Sequence, residues 1–293
     1  NLLGSLSTKS FFETYWDKKP VILTPDRFPE IMKLNPEVFF GWFATMGRSE
    51  SRFLTYNAET KTLRNGRKRL EGLYATHDEG NILTALQKLA HQEGFLAKGL
   101  SCQSPFTDWR AEAQKFWKCK VSLNGYLIAK GADHFPIHQD GHHIFALQSY
   151  GKKEWRFWKP SIRQPLGVYS FPREDPPSTK PEVLTVTKGQ VLYIPTGWLH
   201  EAETRSDYSI HVTFGLHPVR WREVLSAVVE QTAAKRELLR QPYPFKYSSD
   251  GVALDASAVE ELRALLGLVA DSGCESLPSV VEYFNTKFEI SPE

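Results

Sequence analysis

The sequence predicts a mainly β fold with added helices, an α+β chain built on an antiparallel sandwich or barrel and followed by a helical segment. Two patterns carry that expectation. Between about residues 119 and 217, short β-branched and aromatic runs follow one another, broken by Gly, Pro and charged turns, with no long helical stretch between them. After His217-Pro218 the apolar spacing changes to the helical period. The composition agrees: 293 residues, 41% hydrophobic and 24% charged, suit one large domain or two small ones and exclude wholesale disorder.

The elements follow in order. Phe11, Phe12, Tyr15 and Trp16 recur at helical spacing before Lys18-Lys19-Pro20 breaks into the β-branched run VILT. NPEVFFGWFATMG reads as a second helix, capped by Asn35, with Pro36 in its first turn and Gly47 at its end. RFLTYNAETKTLRNGRKRL reads as a β-hairpin, with Asn65-Gly66 as its strongest turn signal. GNILTALQKLAHQEG, residues 80–94, returns to helical spacing.

CKVSLNGYLIAKG, HHIFALQSYGKKEWRFWKP, EVLTVTKGQVLYIPTG, HEAET and YSIHVTFGLHP are the expected strands, with GVYSFPREDPPSTKPE as a long Pro-rich loop. In the tail, Trp221, Val224, Leu225, Val228, Val229 and Thr232 form one helical stripe. A second helix opens at Ser257-Ala-Val-Glu260, a capping-box pattern, and runs through ELRALLGLV. The expected division is residues 1–219 as one domain with N-terminal helical and hairpin elements, and residues 220–293 as a helical C-terminal segment.

Charge and cysteine usage narrow the function classes. Thirty-six basic against 34 acidic side chains leave a formal net charge of +2, which gives no reason to expect a nucleic-acid-coating or membrane-surface protein. Lys61, Arg64, Arg67, Lys68 and Arg69 could touch RNA or an acidic peptide, but without interleaved aromatics they read as a solvated face. No uncharged run approaches the roughly 18 residues that span a bilayer. The opening NLLGSLSTKSFFETYW lacks the charged start and apolar stretch of a signal peptide. Cys102, Cys119 and Cys274 form no CxxC pair and read as reduced thiols. A cytoplasmic protein is expected.

The chemistry-bearing segment is HFPIHQDGHHIFALQSYGKKEWRFW. His138 and Asp140, two apart, point to the same face of an extended strand. His200, in YIPTGWLHEAE, is the third candidate. Two imidazoles and one carboxylate on facing strands can take one face of an octahedral metal and leave the opposite positions open, the arrangement of non-haem Fe(II) oxygenases. His134, His142 and His143 lie in the same window and read as supporting or surface groups. Lys153, Trp155 and Phe157 share a strand face, with Lys152 on the other, and a lysine among inward rings wants an anion. Ser122, Asn124 and Tyr126 share a face on an earlier strand; Ser209, His211 and Thr213 share one beside His200.

HxD, an apolar strand with Gln148, Gly151-Lys152-Lys153-Glu154-Trp155 and then GQVLYIPTGWLH resemble, in order and spacing, the JmjC-type, cupin-fold oxygenases. The likeness is greatest to the branch containing the ribosomal protein hydroxylases. Tyr15-Trp16 with Lys19-Pro20 resembles that branch's opening motif, and YSIHVTFGL resembles its last barrel strand. The resemblance covers roughly residues 10–220. It implies a double-stranded β-helix (cupin or jelly-roll) core, Fe(II), 2-oxoglutarate as cosubstrate and O2. The implied activity is hydroxylation of an amino-acid side chain in a peptide or protein, either a ribosomal protein or a modified peptide precursor.

His138, Asp140 and His200 match the family's iron ligands, which are also its catalytic residues. Lys153 matches the basic residue that pairs with the distal carboxylate of 2-oxoglutarate, and Asn124, Tyr126 and Ser209 are candidate cosubstrate contacts. In the resembling branch, helices after the barrel build a homodimer, so a dimer is expected from the 221–240 stripe, followed by a shortened end domain. Direct nucleic-acid binding is not expected except through a ribosomal substrate. Two other readings stay open. A cupin metalloenzyme acting on a small molecule without cosubstrate would have no need of an inward Lys153, and a catalytically silent JmjC-like binding module would have no need of an intact ligand set.

Overall fold

The computed structural model describes residues 3–26, 34–46, 53–57, 62–65, 79–98, 100, 106–132, 135–170, 177–248, 251–254 and 257–287. Residues 1–113 with 120–217 form one compact unit, and residues 114–119 with 218–293 form another.

Helix α1 (Thr8–Thr14) opens at Ser7, whose hydroxyl accepts from the Ser10 N–H at 3.1 Å, a side-chain cap. Strand β1 (Val21–Leu23) follows the Lys19-Pro20 break. Helix α2 (Pro36–Met46) is capped as expected, the Val38 N–H donating to Asn35 Oδ1 at 2.9 Å. Strands β2 (Phe53–Asn57) and β3 (Thr62–Asn65) do form a hairpin, but Asn57 opposes Thr62, so residues 58–61 connect them and Asn65 ends β3. The Asn-Gly turn expected there is therefore corrected. Gly66 lies outside the described residues, as do Lys61, Arg67, Lys68, Arg69, Cys102 and His134.

Helix α3 (Glu79–Ala90) stops four residues short of the expected end, because Gly94 begins β4 (Gly94–Lys98), which pairs with β2 on one side. Helix α4 (Phe106–Trp117) and β4 had no counterpart in the sequence reading.

From residue 120 onward the expected β texture resolves into β5 (Lys120–Ala129), β6 (His138–Gln139), β7 (His143–Tyr150), β8 (Lys152–Trp158), β9 (Tyr169–Ser170), β10 (Glu182–Thr187), β11 (Val191–Ile194), β12 (Leu199–Thr204) and β13 (Tyr208–His217). They form two antiparallel sheets. The larger has the order β1-β11-β7-β13-β5-β4-β2-β3, the smaller β10-β8-β12-β6-β9. In the smaller sheet, and from β1 to β5 in the larger, neighbouring strands are not consecutive in the chain, as a jelly-roll requires; β2, β3 and β4 extend the larger sheet beyond β5.

The sheets' inner faces share a core of Ile144, Ala146, Trp155, Phe157, Val186, Leu192 and Ile194. The turn from β7 to β8 requires Gly151, whose φ is +70° and whose added Cβ would lie 2.0 Å from the Tyr208 carbonyl oxygen. Cys119 is buried.

The second unit holds helix α5 (Trp221–Lys235), a 3-10 turn (Glu237–Arg240), a hairpin of β14 (Phe245–Ser248) with β15 (Gly251–Leu254), and helix α6 (Val259–Lys287). The expected α5 stripe divides: Val228 and Thr232 are buried, whereas Trp221, Leu225 and Val229 are exposed. Helix α6 runs well past ELRALLGLV but bends by 67° between Gly273 and Glu275. Pro278 lies four residues beyond residue 274, where its ring collides with the i−4 carbonyl. Among the described residues, no single helix is long and apolar enough to cross a membrane.

Candidate metal and cosubstrate site

The register of the smaller sheet builds the site. On β12, His200 stands directly opposite His138 of β6, and on its other side opposite Phe157 of β8. Opposed residues of an antiparallel ladder share a face, so both imidazoles and the Phe157 ring point inward. Asp140, two residues past His138, returns to the same side. One ligand atom each from His138, Asp140 and His200 lies within 4.8 Å of the others. Asp140 Oδ2 is 3.7 Å from His138 Nε2 and 3.6 Å from His200 Nε2.

The hydrogen bonds on the far side of each ring decide its tautomer. His138 Nδ1 sits 2.8 Å from the Pro136 carbonyl oxygen, and His200 Nδ1 sits 2.9 Å from the Trp198 carbonyl oxygen. A carbonyl only accepts, so Nδ1 carries the proton in both rings and each Nε2 offers its lone pair to the site. Burial, reinforced by His138, pushes His200 down to about 4, so it is a neutral ligand at pH 7. Burial alone would raise the Asp140 carboxyl, but His138, His200, His142 and His217 outweigh it and hold it below its ordinary value. Two imidazoles aimed through Nε2 and one carboxylate, oriented before any ion arrives, fit a divalent iron.

Farther along β8 the inward row is Phe157, Trp155 and Lys153. Lys153 is 1% exposed, and Lys152 points out to solvent. Lys153 Nζ lies 3.3 Å from His211 Nδ1 of β13, and burial lowers the ammonium to about 7. His211 stacks on Tyr126 with centroids 4.6 Å apart and planes 3° from parallel. The Tyr126 hydroxyl is hydrogen-bonded to Thr213 and Asn124, and burial followed by the Asp140 charge raises its ionisation well above the ordinary phenol value. The ladder explains the grouping, since His211 opposes Tyr126 and Thr213 opposes Asn124. Ser209 is fully buried on the same face, where its hydroxyl accepts from Gln148 Nε2 at 2.9 Å.

His143 does not join the ligands. The Thr196 N–H donates to its Nδ1 at 3.2 Å, the Tyr193 hydroxyl is 3.1 Å from the same atom, and its ring lies 4.1 Å from that of Trp16. His142 takes the supporting place among the two expected for it, half-buried and within electrostatic reach of Asp140. It stacks on His217 at 4.4 Å, and His217 Nε2 is 3.0 Å from Ser122 Oγ. His217 escaped the sequence reading, although the alternation His211, Thr213, Gly215, His217 would have placed it on the inner face.

These features define a class. Residues 100–224 match the family model described as a JmjC domain, and the matched strands lie in a cupin-type jelly-roll of two antiparallel sheets. The particular relatives extend the match beyond the domain. Ribosomal oxygenase 2 of Bos taurus is 25% identical over 95% of this chain and 61% of its own length. The bifunctional lysine-specific demethylase and histidyl-hydroxylase NO66 of Culex quinquefasciatus is 26% identical over 82% of this chain and 38% of its own. The chain thus spans about 61% of the first of these relatives and less of the second. Among solved structures, the ribosomal oxygenase YcfD of Escherichia coli, in complex with cobalt and 2-oxoglutarate, superposes with a TM-score of 0.61 at 16% identity. That match covers 99% of this chain and 72% of the other, and it shows the shared fold.

Proposed function

We propose that this chain is an Fe(II)- and 2-oxoglutarate-dependent oxygenase that hydroxylates an amino-acid side chain in a peptide or protein. The observation that carries the reading is the convergence of His138 Nε2, His200 Nε2 and Asp140 Oδ2 on the inner face of a sheet that also buries the Lys153 ammonium. Fe(II) with 2-oxoglutarate and O2 would supply decarboxylation to succinate and CO2, with one oxygen atom entering a C–H bond of the substrate.

The chain's own groups have separate tasks in this reading. His138, Asp140 and His200 hold the metal through atoms already aimed by the Pro136 and Trp198 carbonyls. Lys153 takes the distal carboxylate of 2-oxoglutarate, with His211 holding the ammonium at 3.3 Å. Tyr126, Asn124 and Thr213 form a hydroxyl-rich wall beside them, and Ser209 holds the far end through Gln148. The Trp155 and Phe157 rings exclude water.

A protein substrate is supported by the relatives named ribosomal oxygenase and histidyl-hydroxylase. We assign residues 1–219 as the catalytic domain. The exposed Trp221, Leu225 and Val229 support residues 220–293 as the region that pairs two copies into a homodimer. We also propose a cytoplasmic location, which the unpaired spacing of Cys102, Cys119 and Cys274 supports. The test is succinate release with iron, with and without a peptide library, read beside a mass increase of one oxygen atom on peptide. Peptide-independent succinate formation, or none at all with iron bound, rejects the reading.

A further inference from the structure

The indole of Trp155 carries a donor that meets no acceptor among the described residues. Trp155 is 6% exposed, and among the described residues its buried Nε1 has no hydrogen-bond partner. Buried N–H groups are almost always paired, because desolvation without a partner is costly. Three residues along the same strand, Trp158 shows the ordinary outcome: its Nε1 donates to the Thr179 carbonyl at 2.8 Å. Packing explains why a ring stands at 155, but it does not explain why this position holds tryptophan and then leaves the N–H unmet.

The position of the ring suggests what meets it. The Trp155 centroid is 5.9 Å from that of His200 and 5.5 Å from that of His211, which it meets edge to face at 78°. Lys153 Nζ lies 5.9 Å from the same centroid. Phe157 stacks parallel to it, 6° off, which fixes the plane of the indole. A molecule held at one end by the metal ligands and at the other by Lys153 therefore runs along this ring.

We propose that Trp155 is a binding residue for the cosubstrate, donating its indole N–H to a carboxylate of the bound dicarboxylate beside Lys153. The inference rests on the 2-oxoglutarate reading above. It gives Trp155 a role that phenylalanine could not fill and adds a neutral donor beside a lone ammonium.

Trp155→Phe removes the N–H and keeps an apolar ring. Calorimetric titration of 2-oxoglutarate into the Zn(II)-loaded, inactive protein should give a Kd about tenfold or more above that of the parent, the size expected for one hydrogen bond to a charged acceptor. Should the variant fail to fold, the parent protein labelled with 15N-tryptophan supplies the answer. One indole N–H signal should move downfield on addition of 2-oxoglutarate. An unchanged Kd in Trp155→Phe while Lys153→Met loses affinity, or indole signals that all stay in place while 2-oxoglutarate binds, would overturn the inference and leave the wider reading standing. Absence of 2-oxoglutarate binding to the parent would overturn both.

Discussion

Lys153→Met separates what the buried ammonium costs the fold from what it contributes to the site. A fall from 10.5 to about 7, at about 1.4 kcal/mol per pH unit, means that burying the charge costs the native state up to about 5 kcal/mol. The sign follows from proton counting. Between about pH 7 and 10.5 the unfolded chain holds the proton and the folded one has lost it, so stability rises with pH across that window. Below pH 7 both states are protonated and the full cost is present. Methionine keeps the length of the side chain without the charge. It also leaves His211 Nδ1 without its donor, a loss of about 1–3 kcal/mol, so the charge term wins.

The variant should therefore be more stable than the parent by about 2–4 kcal/mol at pH 6, with the gap closing toward pH 10. It should also bind 2-oxoglutarate more weakly by about 2–5 kcal/mol. In the parent, 2-oxoglutarate affinity should fall about tenfold per pH unit above about pH 7, because the ammonium must regain its proton to pair. Urea unfolding at pH 6, 8 and 10, with calorimetric titrations in parallel, measures all three. A Lys153→Met protein that is less stable at pH 6 and binds 2-oxoglutarate like the parent would refute the reasoning at both ends.

Three further outcomes can be checked directly. Asp140→Ala and His200→Ala should each lose Fe(II) binding in an anaerobic titration while their far-ultraviolet circular dichroism stays native, since β12, which bears His200, is held by its ladder with β8 and Asp140 lies just past the end of β6. Gly215→Ala places a Cβ 2.6 Å from Ser122 Oγ and 2.7 Å from the His142 ring. It should displace His142 from His217, raise KM for the protein substrate, and leave the Kd for 2-oxoglutarate little changed. Sedimentation should give a mass near twice 33.4 kDa, and Leu225→Asp, on the exposed side of α5, should return it to one copy. Val228→Asp is unsuitable for that purpose because Val228 packs inside its own unit.

The site was more legible than the frame around it. His138 and Asp140 could be paired because a two-residue spacing on a strand leaves one possible face, and Lys153 could be separated from Lys152 by the same rule; His200 was joined to them by the resemblance of the GQVLYIPTGWLH segment. Period-two alternation also identified Tyr126, Asn124 and Ser209 as neighbours on shared faces. What alternation does not encode is which strand lies beside which. The Lys153–His211 contact spans 58 residues, and the His142–His217 stack depends on the same long-range order. Local turn chemistry misled at Asn65-Gly66, where the β2–β3 register places the connection at residues 58–61. Strand β4 was hidden because Gly94–Lys98 is nearly continuous in burial, without the alternation that marks a half-exposed strand.

The pairing of β8 with β12 explains how an uncompensated lysine can persist. The acids of these strands, Glu154, Glu201 and Glu203, point outward and are taken up by Arg156 and Arg205 at 2.6–3.2 Å. Among the described residues Lys153 makes no ion pair; its hydrogen-bond partner is His211, which is held neutral by burial and by the lysine itself. An inward carboxylate would steady the fold and occupy the ammonium that the dicarboxylate needs. Thr204 offers the place to test this, since it stands opposite Lys153 on β12, shares its face and is 4% exposed. Thr204→Asp should give Lys153 an internal partner and weaken 2-oxoglutarate binding by at least tenfold, a direct competition of one carboxylate with another. Its stability should exceed that of Thr204→Asn, which has the same shape and no charge. Equal stability of the two variants, with cosubstrate affinity retained in Thr204→Asp, would show that Lys153 is not the anchor for the ligand's carboxylate.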